Sequence, residues 1–477
     1  MPEEEESPED NQTAVEEPVS IAPIDDRIRV GFLVPLSGQH KAVGEALLNA
    51  AQLALFDLAD DRFHLLIGDT QGTPEGALFA ARSLLDQGAQ LLLGPLFADS
   101  VRQVGQEVLY RNASVIGFSN DQSVAAPGIY VLGLSPEAQI DRMVAFASAQ
   151  GLFRIATLVP DNLFGRRALE ALQSSVFFHG AELAAFGIYD PAAEDLTSEV
   201  IKVADYDRRH KELLEEREKL EEQGDEAAEA LLEQLGKLDT LSPPEYDAIL
   251  LPFGGRQLLT MASLFAFYDV DPVDVRYLGT NLWDDPALLR EPTLRGGWFP
   301  APPPQLWDVF KSRYETTFGE APPRIASLGY DATALAAILA QQAVDVAPEI
   351  AQQVPSANPN ASDQEIAPQT TASNLASTHN AGSALTGTGV ETSKDSIAAS
   401  PGYGQNPFVP GRSPTFRRSL IFTEEKITNP NGFAGIDGIF RFLSDGRVER
   451  VYSVFEVRSN GFAEIDPART TFEEIIF

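Results

Sequence analysis

The chain has 477 residues, 44% of them hydrophobic, enough for two or three cores of ordinary size, and 70 acidic against 35 basic residues leave a net charge of −35. A field that negative opposes phosphate backbones and anionic lipid surfaces, which argues against nucleic acid as a partner. With no Cys, disulfides, thiolate metal sites and Cys nucleophiles are all excluded, and no run approaches the roughly eighteen consecutive apolar residues of a membrane span.

Residues 1–26 carry ten acidic side chains and no Lys or Arg, a composition predicting a disordered tail. The N-terminus shows no basic region followed by an apolar stretch; such a tail fits an exported protein whose signal or lipid-attachment segment lies outside this numbering, the alternative being a cytoplasmic start. From Arg27 onward, short apolar runs alternate with longer amphipathic stretches. Ile28–Val34, Phe63–Ile67, Leu91–Leu93, Val115–Phe118, Ile155–Val159 and Ala248–Leu251 are predicted strands; Val43–Leu58 and Pro74–Gln87 are predicted helices. The alternation predicts an α/β fold of parallel sheets with helices on both faces.

Two segments break the rhythm. In 206–238, Leu213, Leu220, Leu231, Leu235 and Leu238 recur at helical spacing among Glu, Lys and Arg, and Gly224 interrupts them. The pattern predicts a charged helical hairpin, either folded back on its own domain or projecting as a partner-binding arm. Residues 346–413 are rich in Ser, Thr, Ala, Asn and Pro, and 355–400 hold no aromatic residue, predicting a disordered insert. Strand-like runs resume at Ile439–Leu443 and Val451–Val457, with turn signals at Ser444-Asp445-Gly446 and Ser459-Asn460-Gly461.

No hydrolase, metalloprotease, phosphate-loop or dinucleotide-binding motif occurs, so a non-enzyme without cofactor is expected. His40, His64, His179, His210 and His379 are too scattered for a metal site, and pairs such as Asp284-Asp285 mean little in so acidic a chain. Small and polar residues do gather where predicted strands end: Pro35-Leu36-Ser37-Gly38, Gly94 to Ser100 with Asp99, and Gly117 to Asp121 with Ser119 and Asn120. In an open parallel sheet these turns line a ligand crevice, although Ser37, Ser100, Ser119 and Asp121 are equally ordinary helix caps.

In order, G-F-L-V-P-L-S-G at 31–38, L-L-G-P-L at 92–96, P-D-N-L-F-G at 160–165, Y-L-G-T-N-L-W-D-D-P at 277–286 and R-I-A-S-L-G-Y-D-A at 324–332 resemble the branched-chain amino-acid binding proteins. A-D-Y-D-R-R-H at 204–210 and N-G-F-A-G-I-D-G-I-F-R-F at 431–442 are similar to the bacterial penicillin-binding protein activators within that superfamily. The resemblance covers about 27–345 and 417–477. It implies a type I periplasmic binding protein fold of two lobes with three crossovers, placed near Ser135, Pro300 and Gly438. Lobe one then comprises 27–135, 301–345 and 414–438, with 346–413 inserted in it; lobe two comprises 136–300 and 439–477, with the hairpin.

The resemblance also places the cleft. The amino-acid binders' ligand-carboxylate hydroxyls fall at Asp99, with Ser100 beside it, and at Asp121; their aromatic residue is kept as Phe164, and their acidic ammonium partner falls at Asn281. Two Asp side chains in that wall would repel a carboxylate, which argues against a free α-amino acid. The resemblance implies a periplasmic activator of a peptidoglycan synthase. The alternative is the substrate-binding component of an ABC importer, docking on a permease, whose cleft would use Ser37, Ser100, Ser119, Asn120, Phe164, Trp283 and Tyr330 around a cationic or polyhydroxylated small molecule.

Overall fold

A computed structural model describes residues 27–352 and 421–472, with side chains to residue 342 in the first stretch; the expected acidic tail and nearly all of the expected insert lie outside the described residues. Compact units comprise Met1–Val344 with Arg418–Phe477, and Asp345–Arg417. The first is described below.

Its chain begins with β1 (Ile28–Val34), α1 (Lys41–Leu58), β2 (Phe63–Asp69), α2 (Pro74–Asp86), β3 (Leu91–Leu93), α3 (Ala98–Tyr110), β4 (Ser114–Gly117) and β5 (Ile129–Val131). The strands form one parallel sheet in the order β2-β1-β3-β4-β5. β1 is buried along nearly its whole length, as a strand covered on both faces must be, which is why Val30–Val34, beyond the partly exposed Arg29, reads as a continuous apolar run. On one face Phe32, Leu91, Ile116 and Tyr130 pack against α1; on the other Leu33, Leu92 and Val115 meet α2 and α3. Each fully buried large side chain of this kind contributes about 1.5–3 kcal/mol.

The second lobe follows with α4 (Pro136–Ala149), β6 (Arg154–Pro160), α5 (Leu163–Phe178), β7 (Glu182–Tyr189), α6 (Thr197–Ala204), α7 (Tyr206–Gln223), α8 (Glu226–Leu235), β8 (Ala248–Leu250), α9 (Gly255–Phe267), β9 (Arg276–Leu278) and β10 (Trp298–Ala301). The chain then returns through α10 (Pro304–Phe318) and α11 (Ala326–Gln352) to β11 (Phe433–Gly435), β12 (Gly438–Phe442) and β13 (Val448–Arg450), a small antiparallel sheet on the first lobe. It ends in β14 (Ser453–Arg458) and β15 (Gly461–Asp466), which extend the second sheet to the order β15-β14-β10-β9-β8-β6-β7, antiparallel only at β10, β14 and β15.

Three connections join the lobes: residues 132–135, 302–303 and 451–452. The third corrects the expectation of a crossing near Gly438. Phe440, Phe442 and Val448 are buried in the same core as Ile116 and Leu132, and the Phe442 ring lies 5.2 Å from that of Tyr130, so residues 439–450 belong to the first lobe. α11 continues to Gln352, past residue 346 where the insert was expected to begin, while the second compact unit starts at Asp345.

α7 and α8 form the expected hairpin. Gly224 ends α7 at φ 60°, in the left-handed region, and Asp225 caps α8 by accepting from the Ala228 N–H at 2.8 Å. The base of the hairpin is seated rather than free. The fully buried Arg209 donates to the carbonyls of Ser242, Tyr268 and Asp269 at 3.1, 2.9 and 3.0 Å, and Tyr206 stacks on His210 and meets Tyr268 edge-on. Farther out, Leu220 and Ala228 are buried while Leu214, Leu231 and Leu238 stay about half exposed.

Candidate functional site: the cleft between the lobes

The cleft is built where parallel strands end and helices begin, so backbone N–H groups converge there. After β1, the Asp69 carboxylate organises the turn: Oδ1 accepts the Leu36 and Gln71 N–H groups at 2.9 and 2.8 Å, and the Ser37 hydroxyl also bonds to this side chain. Burial pushes the Asp69 carboxyl up, but these hydrogen bonds outweigh it and hold the group below its ordinary range. Ser37 is therefore half-buried and engaged within its own turn.

In the second turn Asp99 faces solvent, its side chain 77% exposed, and pairs with Arg102 one helical turn on at 2.5 Å. Ser100 is buried, and its hydroxyl has no hydrogen-bond partner among the described residues. In the third turn the Ser119 Oγ accepts the Asp121 N–H at 3.0 Å, while Asp121 Oδ1 accepts the Ser123 N–H at 2.9 Å. Asn120 is exposed, and its carbonyl oxygen accepts a hydrogen bond from Arg167 at 3.1 Å.

Arg167 also lies 3.3 Å from Asp121, so that carboxylate does not stand bare in the wall. Burial pushes the Asp121 carboxyl up; hydrogen bonds from Ser123 and the charges of Arg167 and Arg102 prevail and lower it. The repulsion expected from two Asp residues is thus neutralised at both, by Arg102 and Arg167. Nothing in the sequence separates Arg167 from Arg166, which pairs with Asp161 at an exposed site.

In the second lobe Phe164 lines a hollow of about 320 Å³ with Pro160, Asn162, Pro191, Phe253, Gln257 and Leu282. Asn162 caps α5 through the Gly165 N–H, where no side chain fits: a Cβ on Gly165 would lie 1.9 Å from the Pro160 carbonyl oxygen. Asn281 is half-buried and donates its N–H to Gln139 Oε1 at 2.8 Å; the same Gln139 side chain bonds to the Tyr452 hydroxyl.

Two expected cleft residues are elsewhere. Trp283 is fully buried in the core, its Nε1 donating to the carbonyls of Leu251 and Phe253 at 3.2 and 3.1 Å, with no face left for a ligand. Tyr330 sits on α11, its hydroxyl donating to Asp57 Oδ2 at 2.8 Å and its ring against Phe310, so it joins α11 to α1 and α10. A bulky aromatic in a helical run such as Ser327 to Ala337 is used for packing; sequence spacing alone did not separate the two uses.

Beside the third crossover lies a buried charge cluster that sequence reasoning missed. Ser327 Oγ donates to Asp437 Oδ2 at 2.5 Å, Arg324 approaches Asp437 Oδ1 at 2.8 Å, and Arg450 donates to the Asp437 carbonyl at 3.1 Å while lying 3.9 Å from Asp331. Gly435 makes room for it, since a Cβ there would sit 2.4 Å from Asp331 Oδ2. Burial drives the Asp331 carboxyl up to about 7, and Arg450 only partly opposes this. A groove of about 960 Å³ runs from this cluster between the lobes, lined by Gln122, Glu137, Arg142, Arg167, Arg450 and Tyr452 among others. Among the described residues there is no cluster suited to a metal ion, and no helix is long and apolar enough to cross a membrane.

The sequence model of the periplasmic binding protein family matches residues 27–355. Two curated relatives are penicillin-binding protein activators LpoA, from Haemophilus ducreyi (30% identical over 146 residues) and Glaesserella parasuis (29% over 145 residues). Each alignment covers 30% of this chain and 24% of the activator, so the matched part spans about a quarter of those proteins. Among solved structures, a protein assigned to a branched-chain amino acid ABC transporter in Rhodospirillum rubrum superposes with a TM-score of 0.62 at 14% identity, covering 92% of this chain and 100% of that one. An ABC transporter substrate-binding protein from Sphaerobacter thermophilus gives 0.58 at 15% identity, covering 94% and 100%. These likenesses establish the fold.

Proposed function

The chain belongs to the periplasmic binding protein family, and from that premise we propose that it is a non-enzymatic periplasmic regulator that stimulates a peptidoglycan synthase. The observation that carries this reading is the engagement of three of the cleft's polar groups within the protein, Ser37 with Asp69, Ser119 with the Asp121 N–H, and Asp121 with Arg167, which leaves the buried Ser100 hydroxyl without a partner among the described residues. A receptor for a zwitterion needs those groups free. The similarity to penicillin-binding protein activators supports the choice of partner, and the hairpin α7–α8, docked by Arg209 and with Leu214, Leu231 and Leu238 half exposed, supplies a surface for it.

The test is a glycan-polymerisation assay with a purified bifunctional peptidoglycan synthase, with and without the full chain, and with a chain in which residues 206–238 are replaced by a short linker. Stimulation by the full chain and its loss with the linker variant are expected. No stimulation by the intact chain refutes the reading.

The hollow beside Phe164 favours one competing reading, the substrate-binding component of an ABC importer closing on a small ligand by hinge motion. A thermal-shift screen with amino acids, polyamines, sugars and muropeptides separates the two: a ligand at a hundred times its Kd stabilises by about 2.7 kcal/mol, and such a rise from a free small molecule supports the importer.

A further inference from the structure

We propose that Arg167 is an internal ligand of the cleft: its guanidinium, carried by the second lobe, fills the third strand-end turn of the first lobe and holds the lobes closed, and the pocket it occupies is a receptor for guanidinium cations. This deepens the regulatory reading and rests on it.

The pocket has three walls. Asp121 Oδ1 lies 3.3 Å from Nη1, the Asn120 carbonyl oxygen 3.1 Å from Nη2, and Glu137 Oε1 2.7 Å from Nη2 and 2.8 Å from Nε. The Arg167 and Asp121 side chains are 16% and 10% exposed. Both carboxylates are held by bonds of their own, and the Asn120 carbonyl shares the Asp121 turn. Ser135 donates to Glu137 Oε2 at 3.0 Å, and Asp121 is held by the Ser123 N–H it caps and by its own N–H to Ser119. A planar fork of N–H donors matches two carboxylates and a carbonyl at fixed angles; a compact ammonium on a flexible stem reaches fewer of them.

Glu137 and Arg167 belong to the same lobe, on α4 and α5, so their pairing survives hinge opening and keeps the guanidinium aimed. Asp121 and the Asn120 carbonyl belong to the other lobe, and their contacts with Arg167 exist only when the lobes are together. The differential contact is therefore between closed and open states, which is what a ligand must supply to shift that equilibrium. Because Arg167 is tethered, its effective concentration is in the millimolar range or above, and a free cation competes poorly while it is present.

The chain has no Cys, so Glu75→Cys on α2 and Thr260→Cys on α9, both exposed, give one spin-label pair across the lobes. Electron–electron distance measurements without ligand are expected to show one short population for the otherwise native chain and a longer, broader one for Arg167→Ala. Methylguanidinium at about 10 mM, near the tethered concentration, restores the short population in Arg167→Ala, and methylammonium at the same concentration does not. Asp121→Asn keeps an acceptor for the Ser123 cap while removing the charge; it opens as Arg167→Ala does, and methylguanidinium does not close it. Circular dichroism melts show that both variants are folded. An Arg167→Ala distance equal to that of the parent, or equal rescue by methylammonium, overturns the proposal. A parent chain that is already open and closes on an added amino acid or sugar refutes the regulatory reading together with the latch, whereas a closed but unchanged Arg167→Ala refutes the latch alone.

Discussion

Replacing Arg209 by Met tests what seats the hairpin. The guanidinium is fully buried and serves three carbonyls, those of Ser242, Tyr268 and Asp269, at 2.9–3.1 Å. Met fills similar length but donates nothing, and a carbonyl left without a partner costs about 1–3 kcal/mol where water cannot reach it, less at the exposed Ser242 than at the half-buried Tyr268 and Asp269. Partial opening admits water to some of them, so the net loss is expected at about 3 kcal/mol. It falls where α7 joins the body, because the three carbonyls belong to the chain following the hairpin and to the end of α9. Amide hydrogen exchange is the appropriate assay: α7, α8 and residues 239–246 exchange on the order of a hundredfold faster in Arg209→Met, while β1 and β3 are unchanged. Unaltered protection in α7 refutes the seat and leaves the hairpin independent of the body.

Trp283→Phe removes the indole N–H that serves the Leu251 and Phe253 carbonyls and leaves a void beside Gly279, so urea unfolding is expected to show a loss of about 2–4 kcal/mol. Asp331 has a folded-state pKa raised from 3.8 to about 7, so its contribution to stability is fully present below pH 3.8 and is lost as pH rises through about 7. Melting temperatures measured across that window for Asp331→Asn should therefore lack the decline with rising pH that the parent shows; parallel profiles would refute the assignment.

β1 and β6 were legible because strands covered on both faces must be largely apolar, and Val30–Val34 and, but for Thr157, Ile155–Val159 are. β7 and β15 were not, since their half-exposed residues mix Glu, Ala, Phe and Gly without a clean period. The third crossover was misplaced for a different reason. Ile439–Leu443 reads as a strand whichever sheet it joins, and long-range contacts such as that of Phe442 with Tyr130, more than 300 residues away, assign it to the first lobe. At the cleft, Asp121 was expected from the third strand-end turn, a property of the local chain, and Phe164 from the family resemblance. Arg167 could not be reached that way, because its role depends on a partner 46 residues upstream in the other lobe.

The hinge gives the last constraint. An importer's receptor needs an open state close in free energy to its closed one, which an apolar or solvated hinge provides. Here the first crossover runs into Ser135 and Glu137, which hold Arg167, and the third adjoins Arg450, Asp331 and Asp437, all buried. Between them Tyr452, the residue of the third crossing itself, bonds to Gln139, which accepts the Asn281 N–H. Buried charges and hydrogen bonds in a low-dielectric region are sensitive to geometry, and this cluster already leaves Asp331 Oδ2 and Arg450 Nε and Nη2 without hydrogen-bond partners among the described residues, so ion pairing is what holds those groups. A hinge motion that rotates Tyr452 or Arg450 disturbs both networks at once. That arrangement favours a single lobe geometry, which suits a body presenting α7 and α8 to a protein partner better than one cycling around a solute.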